Sequence, residues 1–473
     1  MQERITATYR KLTTRPIPPL VLEFAVPSIV SMLISSLYNL ADTFFVGRID
    51  TQSTAAVGIV MSYMAVIQAV SFFFGHGAGN YISRALGARK TDRAADMAAT
   101  GFFLSVFLTS GLALLGYCFF ERMLYFLGST PTILPYAKSY GLYILIGTPF
   151  ISGALVLTNQ MRLQGHAMES MLGVLAGAVL NIVLDPILIF HCSMGVSGAG
   201  VATAFSQMVS MCVMLSLTGR RGGIRISWRH FHPSCRAWHE IVAGGLPSLA
   251  RQGCMSLSII FLNNFVSTYG DSAVAAFTVV SRVMMVVFAI LLGFGQGFQP
   301  ICGFNYGAGR YRRVRQALGF CMAVGTLYCI VCSLLGWRFA PDIIRLFREG
   351  DAAVTEIGSQ VLRYQCLTFS FIGIVVLTNM YLQNIRATAS AVLIAVGRHG
   401  ICFIPPLFVG ALFFGLKGIM LAQPIADLLA LTLAVPLCLH ALRKMNRLPE
   451  AAPETNEDAV PEVLPDAGPF YQD

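Results

Sequence analysis

Two acidic residues stand inside long apolar stretches of this 473-residue chain. Asp42 lies near the end of the stretch at residues 27–46, and Asp185 lies within the stretch at residues 171–190. A helix that spans a membrane needs about 20 apolar residues, and an ionised carboxylate inside it costs roughly 2.5–3.5 kcal/mol. Acids in such positions usually have a function, so Asp42 and Asp185 are the first candidate site residues.

An asparagine precedes each acid at helical spacing. Asn39 lies three residues before Asp42, and Asn181 lies four residues before Asp185, so each pair shares one face of a helix. The amides add oxygen atoms and N–H groups beside the carboxylates. Carboxylates withdrawn from water can hold a proton, and oxygen ligands suit Na⁺ equally well. The four residues therefore indicate a site for H⁺ or Na⁺, with no cofactor beyond that ion.

Both acids also have a plainer interpretation. Asp42 comes late in its stretch, where a charged side chain can reach water at the outer interface. Pro186 cannot donate a hydrogen bond to the Ile182 carbonyl, which either leaves a backbone oxygen for a site or only bends the helix. The sequence leaves these alternatives open.

The composition indicates a membrane protein. Hydrophobic residues make up 55% of the chain and charged residues 12%, too few to cover a soluble globule of this size. The net charge of +10 is typical of cytoplasmic loops in a membrane protein, so we expect no nucleic-acid partner. The twelve cysteines form no CxxC pair, which favours core packing over disulfides or zinc.

Twelve apolar windows predict an all-α, polytopic membrane protein with twelve transmembrane helices. They lie near residues 20–46, 53–77, 97–120, 136–158, 169–190, 196–218, 242–268, 272–297, 317–337, 361–383, 388–412 and 416–440. An even number puts both ends on one side, and the distribution of Lys and Arg favours cytoplasmic termini. We expect a multi-pass protein of the plasma membrane that contacts lipids and acts as a monomer.

The chain repeats itself at an offset of 220 residues. Residues 156–159 and 376–379 both read VLTN, and Gly195 matches Gly415. A register without gaps over six helices predicts two six-helix bundles. The predicted segments are a cytoplasmic N-terminus at 1–19, an N-lobe at 20–218, a cytoplasmic linker at 219–241, a C-lobe at 242–445 and a disordered acidic tail at 446–473.

The two halves differ in charge. Asp42 and Asp185 have no acidic counterpart in the second half. That half instead carries three arginines within its apolar windows: Arg251, Arg282 and Arg398. We expect these arginines to pair with Asp427 or with backbone carbonyls, and a clamp for an anionic substrate is the alternative.

Several stretches resemble the multidrug and toxic compound extrusion (MATE) family over about residues 20–445. They are the opening PSIVSMLISSLYNLADTFFVGRI, the GxG with a basic GA loop after helix 2 and its echo after helix 8, and GVSGAGVATAFSQ at the start of helix 6. The resemblance implies two bundles that form a V-shaped cleft. It also implies export of cationic, amphipathic drugs or metabolites in exchange for H⁺ or Na⁺, through alternating access.

The resemblance also assigns residues. In the family branch with an acidic N-lobe, the residues that couple transport to H⁺, or that would bind Na⁺, correspond to Asp42, Asn181, Asp185 and Thr203. The candidates for the substrate cavity are Tyr38, Asn39 and Asn159. Another branch has an acid early in helix 7, where this chain reads LARQG at residues 249–253. The resemblance therefore favours coupling in the N-lobe.

Other functions fit less well. A flippase for a lipid-linked sugar or a peptidoglycan precursor is the alternative, since arginines of the C-lobe could bind a pyrophosphate. A major-facilitator carrier would show GxxxDRxGRR between helices 2 and 3, where this chain reads GARKTDRA. HExxH and GxSxG do not occur, so we expect no enzyme. The glycines at residues 75–79 and 295–297 are expected in loops, and they lack the GK[ST] of a phosphate-binding loop.

Overall fold

The structure is a computed structural model that describes residues 2–219, 223–347 and 351–451. Residues 452–473, most of the predicted acidic tail, lie outside the described residues, as do residues 220–222 of the predicted linker. Within the described ranges all regular structure is helical and there is no strand. The prediction of an all-α protein is confirmed.

The first half of the chain forms six long helices and two shorter ones. They are α1 (Gln2–Thr14), α2 (Ile17–Val46), α3 (Thr51–Gly87), α4 (Thr91–Cys118), α5 (Phe120–Phe126), α6 (Leu134–Leu163), α7 (Ala167–Pro186) and α8 (Val196–Leu217). A π-helical turn, Ile187–His191, continues α7 directly after Pro186. A short 3-10 helix, Trp228–His230, lies between the halves.

The second half follows the same plan. Its helices are α9 (Cys235–Ser267), α10 (Asp271–Gly307), α11 (Tyr311–Arg338), α12 (Ala340–Phe347), α13 (Ala352–Asn384), α14 (Thr388–Val396) and α15 (Ile404–Met445). A π-helical turn, Gly397–Ile401, continues α14. After α15, the Ala451 N–H donates to the Gly309 carbonyl at 3.2 Å, so the described start of the predicted tail contacts the connection between α10 and α11.

The membrane spans follow from length and composition. Among the described residues, ten stretches are long and apolar enough to cross a membrane. One of them, Thr388–Met445, holds two spans because Gly415 interrupts α15 with non-helical backbone. α9 is not among these ten, because Arg251 and Gln252 make it less apolar, but it occupies the position of the α2 span in the 220-residue repeat. These twelve transmembrane helices match the twelve predicted windows, so the chain is a multi-pass membrane protein.

The sequence repeat is also a repeat of backbone conformation. Gly195, which precedes α8, has φ 57° and ψ −138°. Gly415, its counterpart at the offset of 220 residues, has φ 59° and ψ −138°. This left-handed conformation is costly for residues with a Cβ atom, which explains why both positions are glycine.

The helices group into two compact units, each with its own apolar core. Unit 1 comprises Met1–Thr14 and Val26–Gly245, and unit 2 comprises Arg15–Ala25 and Leu246–Asp473. Ile144 lies in the core of unit 1, and Leu407 lies in the core of unit 2. The boundaries fall inside α2 and α9, close to Pro27 and Pro247. α9 begins at Cys235, within the predicted linker, and its first residues belong to unit 1.

The prediction of glycine-containing loops is wrong. Residues 75–79 lie inside α3, and residues 295–297 lie inside α10. A Cβ atom added to Gly75 would be 3.0 Å from the Asn159 Cβ, and one added to Gly295 would be 2.5 Å from the Met380 Sδ. These glycines therefore allow helices to pack closely, which is their common role in membrane proteins.

Candidate functional site

The four residues predicted to bind the coupling ion come from three helices of unit 1. Asp42 lies on α2, Asn181 and Asp185 lie on α7, and Thr203 lies on α8. Asp185 is fully buried, and Asn181 and Thr203 are 2% and 4% exposed. Three segments that are distant in the sequence thus bring polar groups together in an apolar environment.

Asn181 is the central member of this group. Its Nδ2 atom donates to the Asp185 Oδ1 atom at 3.4 Å and to the Thr203 Oγ1 atom at 3.4 Å. Asn181 and Asp185 are four residues apart, so the helix itself holds the amide and the carboxylate on one face. The amide therefore links α7 to α8 and orients the Asp185 carboxylate.

Asp42 completes the group from α2. Its carboxylate is close enough to that of Asp185 for the two charges to interact. Three buried oxygen atoms of the group have no hydrogen-bond partner among the described residues: Asp42 Oδ1, Asn181 Oδ1 and Asp185 Oδ2. The Asp42 Oδ1 atom is withdrawn from solvent, so the structure does not support the interpretation of Asp42 as a water-exposed interfacial acid.

Unpartnered buried acceptors have a chemical consequence. Oxygen atoms without donors in an apolar site are costly, and a proton or a small hard cation removes that cost. Within the described part of the chain, no three His, Cys, Asp or Glu side chains form a site for a metal ion. Two carboxylates with an amide and a hydroxyl suit H⁺ or Na⁺ better than a transition metal.

Tyr38 and Asn39 adjoin this group on α2. Tyr38 lies one helical turn before Asp42 and interacts with its charge. The Asn39 Nδ2 atom donates to the Ser35 carbonyl at 2.7 Å. The structure therefore places two of the three predicted cavity residues beside the acids.

Asn159 lies elsewhere. It is 19 positions after Tyr140, the residue of α6 that lies near the two acids, and this separation corresponds to about 28 Å along an α-helix. Its Oδ1 atom accepts a hydrogen bond from the Arg162 guanidinium, and its Nδ2 atom donates to the Leu155 carbonyl at 2.8 Å. Asn159 is 1% exposed. The structure does not bring it to the acidic group.

Tyr140 is a member of the group that the sequence did not reveal. It is 1% exposed, and its hydroxyl lies near Thr203 and interacts with the charges of Asp42 and Asp185. Its counterpart in the repeat is Gln360, another polar residue, so the comparison of the two halves does not single it out. Only the packing of α6 against α8 places this hydroxyl at the acids.

Unit 2 contains a different polar group. The Arg398 Nε atom donates to the Asp427 Oδ1 atom at 3.2 Å, which confirms for Arg398 the expected pairing with that acid. Arg282 has an exposed side chain. Unit 2 has no acid at the positions that correspond to Asp42 and Asp185. It contains the buried ion pair between Arg398 and Asp427 instead.

Known proteins resemble the chain over most of its length. A sequence model of the MatE family matches residues 27–187 and 247–409, and the two matches begin 220 residues apart. The chain is 26% identical over 430 residues to the multidrug export protein MepA of Staphylococcus aureus strain MRSA252, covering 90% of this chain and 94% of MepA. It is 27% identical over 425 residues to MepA of Staphylococcus saprophyticus, covering 89% and 93%.

Solved structures share the fold. A crystal structure of MATE in complex with MaL6 has a TM-score of 0.87 and 24% identity, covering 93% of this chain and 99% of that chain. A MOP superfamily transporter from Pyrococcus furiosus, for which reverse polarity of the binding pocket suggests a different function, has a TM-score of 0.86 and 24% identity, covering 93% and 98%. At these identities, the likeness concerns the helical architecture.

Proposed function

Because the chain belongs to the MatE family, we propose that it is a secondary transporter that exports cationic, amphipathic compounds in exchange for H⁺ or Na⁺. The resemblance inferred from the sequence is confirmed, and the protein is a transporter and not an enzyme. Export of several drugs is supported by its curated relatives, which are multidrug export proteins. The same relatives support a location in a bacterial plasma membrane.

The proposed transporter acts as a monomer with both termini in the cytoplasm. The orientation is supported by the distribution of Lys and Arg. The monomer is supported by the origin of the site, because every residue of the acidic group comes from one unit of one chain. Its partners are small-molecule cations and the surrounding lipids.

The proposal rests on the buried oxygen atoms at Asp42, Asn181 and Asp185, which have no donor among the residues that the structure describes. An ionised carboxylate in the membrane interior is expensive unless a proton or a cation neutralises it. Asn181 holds the Asp185 carboxylate through a hydrogen bond at 3.4 Å, and Thr203 accepts a second hydrogen bond from the same amide at 3.4 Å. The group is therefore suited to bind one small cation and release it again.

Competition for this negative charge couples the two movements. When the acids are ionised, they attract a cationic cargo, and the Tyr38 ring beside Asp42 offers an aromatic face to it. When H⁺ or Na⁺ enters from outside and neutralises the acids, the cargo loses that attraction and leaves outward. Alternating access then exposes the ion to the cytoplasm.

The test is transport of a fluorescent cationic dye in proteoliposomes. A pH gradient and a Na⁺ gradient are imposed separately on vesicles that contain the full chain. We expect dye movement to follow one of the two gradients, and Asp42→Asn and Asp185→Asn each to abolish this coupled movement. Asp92→Asn is the matched control, because Asp92 is an exposed acid of unit 1 in the first turn of α4.

Coupled transport that persists in both Asp42→Asn and Asp185→Asn would reject the assignment of the ion site. Dye movement that ignores both gradients in the unmodified protein would reject ion-coupled export altogether. The flippase alternative is not favoured, because the curated relatives are multidrug export proteins.

A further inference from the structure

Unit 2 contains a cleft with two arginines on its wall. The cleft is open on one side, and its empty space of about 330 Å³ includes this open mouth. Its polar lining residues are Arg251, Asn379, Arg398 and His399. Its apolar lining includes Phe288, Leu292, Val375 and Ile394. The cleft is separate from the acidic group, whose residues all belong to unit 1.

The arginines of this cleft are not balanced in charge. Asp427 pairs with Arg398 at 3.2 Å, and its two oxygens also accept from Gln423 at 3.0 Å and Thr368 at 3.4 Å. Arg251 has no hydrogen bond or ion pair among the described residues, and its charge interacts unfavourably with that of Arg398. Of the two guanidinium groups, only that of Arg398 therefore has a carboxylate partner among the described residues.

Two local features hold Arg398 at the wall of the cleft. The π-helical turn Gly397–Ile401 carries Arg398 and His399, and the Ser258 hydroxyl donates to the His399 carbonyl. The Arg398 guanidinium also lies over the Phe288 ring, 4.8 Å from its centroid. Because Arg398 is held in this way, its N–H donors that do not bond to Asp427 point in a defined direction. Planar recognition of an anion requires such a fixed direction.

The position of Arg251 argues for a ligand other than a lipid headgroup. Arg251 lies on α9 (Cys235–Ser267), nine residues inside the predicted span at 242–268, which corresponds to roughly 13 Å from the start of that span. Headgroups lie at the ends of spanning helices. An unbalanced arginine at this depth is costly, and an anion that enters the cleft would offset that cost.

We propose that this cleft binds a small amphipathic organic anion, with its carboxylate or sulfonate on Arg251 and Arg398 and its apolar body against Phe288 and Leu292. Guanidinium groups match the geometry of such anions, and the aliphatic and aromatic wall matches a ring or short chain. The protein then has two sites of opposite polarity, an acidic one in unit 1 and a basic one in unit 2. This site does not depend on the proposed exchange of cations.

The test measures binding of three naphthalene compounds to the full chain in nanodiscs of neutral lipid. We expect 1-naphthaleneacetate to bind saturably, and neutral 1-naphthaleneacetamide and cationic 1-naphthylmethylammonium to bind at least about tenfold more weakly, because a charge-assisted pair with arginine is lost. Arg251→Gln should weaken the acetate by about tenfold or more. Arg282→Gln is the matched control and should leave it unchanged, because Arg282 does not line the cleft.

A second variant tests the proposal in the opposite direction. Asp427→Asn removes the acid that competes for Arg398, so naphthaleneacetate should bind several-fold more tightly. This result is informative even if Arg251→Gln does not fold. Equal binding of acetate and acetamide, or weaker acetate binding in Asp427→Asn, would overturn the proposal. Loss of acetate binding in nanodiscs of phosphatidylglycerol would assign the cleft to an anionic lipid and also overturn it.

Discussion

Gly297 of α10 lies so close to Ala25 that a Cβ atom on the glycine would be 2.5 Å from the Ala25 Cα. Its counterpart in the repeat, Gly77 of α3, lies equally close to Ile241, where the added atom would be 2.4 Å from the backbone oxygen. Both neighbours are backbone atoms, which cannot move aside as a flexible side chain can. We expect Gly297→Ala and Gly77→Ala each to destabilise the protein by about 1–3 kcal/mol, because the added methyl group overpacks the contact.

Thermal unfolding in detergent, followed by loss of the monomer peak, measures this effect. Gly319→Ala is the control, because nothing lies within 4 Å of an added Cβ at that position of α11. Alanine is the better helix former, so Gly319→Ala should be neutral or slightly stabilising. Equal melting temperatures for all three variants would contradict the close contact.

Tyr140→Phe should alter ion coupling without unfolding unit 1. The change removes the hydroxyl that lies near Thr203 and both acids, while the buried ring remains. We expect the gradient needed for half-maximal dye transport to change by about threefold to tenfold, as for the loss of one polar interaction. Tyr63→Phe is the control, because that buried tyrosine bonds to Thr148 at 3.2 Å in the same unit. A matching change in the control would indicate a general packing effect.

Asn159→Ala should act on stability and not on cargo affinity. The change removes the acceptor of one hydrogen bond from Arg162, which is 2% exposed, and a hydrogen bond to a buried charge contributes about 1.5–3 kcal/mol. The melting temperature should fall, while exposed Asn264→Ala should leave it unchanged. Unchanged stability with a raised dye concentration for half-maximal transport would instead support the cavity role predicted from the sequence.

Trp228→Ala should loosen the segment between the halves. The Trp228 ring centroid lies 4.8 Å from that of Phe103 and 4.9 Å from that of Phe231, and nearby His230 Nδ1 lies 2.8 Å from Asp96 Oδ1. Limited trypsin digestion should then cut at Arg225 or Arg229 several-fold faster. Trp337→Ala, a change of an exposed tryptophan in α11, is the control. Equal digestion rates would show that the aromatic contacts do not hold the segment.

Long apolar runs predicted the twelve helices because every backbone polar group inside a membrane must be paired within a helix. The same reasoning misses the helix ends. α3 continues to Gly87 and α9 begins at Cys235, because a helix can extend into water where hydropathy gives no signal. Hydropathy also does not distinguish a glycine in a loop from a glycine inside a helix. The glycines of α3 were therefore predicted in a loop, whereas they serve close helix packing.

The candidate site was predictable where its residues share a helix. Asn181 and Asp185 are four positions apart, and the structure joins them as that spacing predicts. Tyr140 could not be predicted, because it meets the acids only through the packing of α6. Family resemblance alone predicts Asn159 in the substrate cavity, and this stays a prediction; along α6 it lies about 28 Å from Tyr140.

The π-helical turns have a consequence for any attempt to exchange the two lobes. Each such turn inserts one extra residue, which rotates the following side chains by about 100°. The turn lies at Ile187–His191 in one lobe and at Gly397–Ile401 in the other, and these are not equivalent positions of the 220-residue repeat. Asp185 and Pro405 are therefore aligned in sequence while their helices are out of phase. An aspartate grafted at position 405 would face a different direction and would not recreate the ion site.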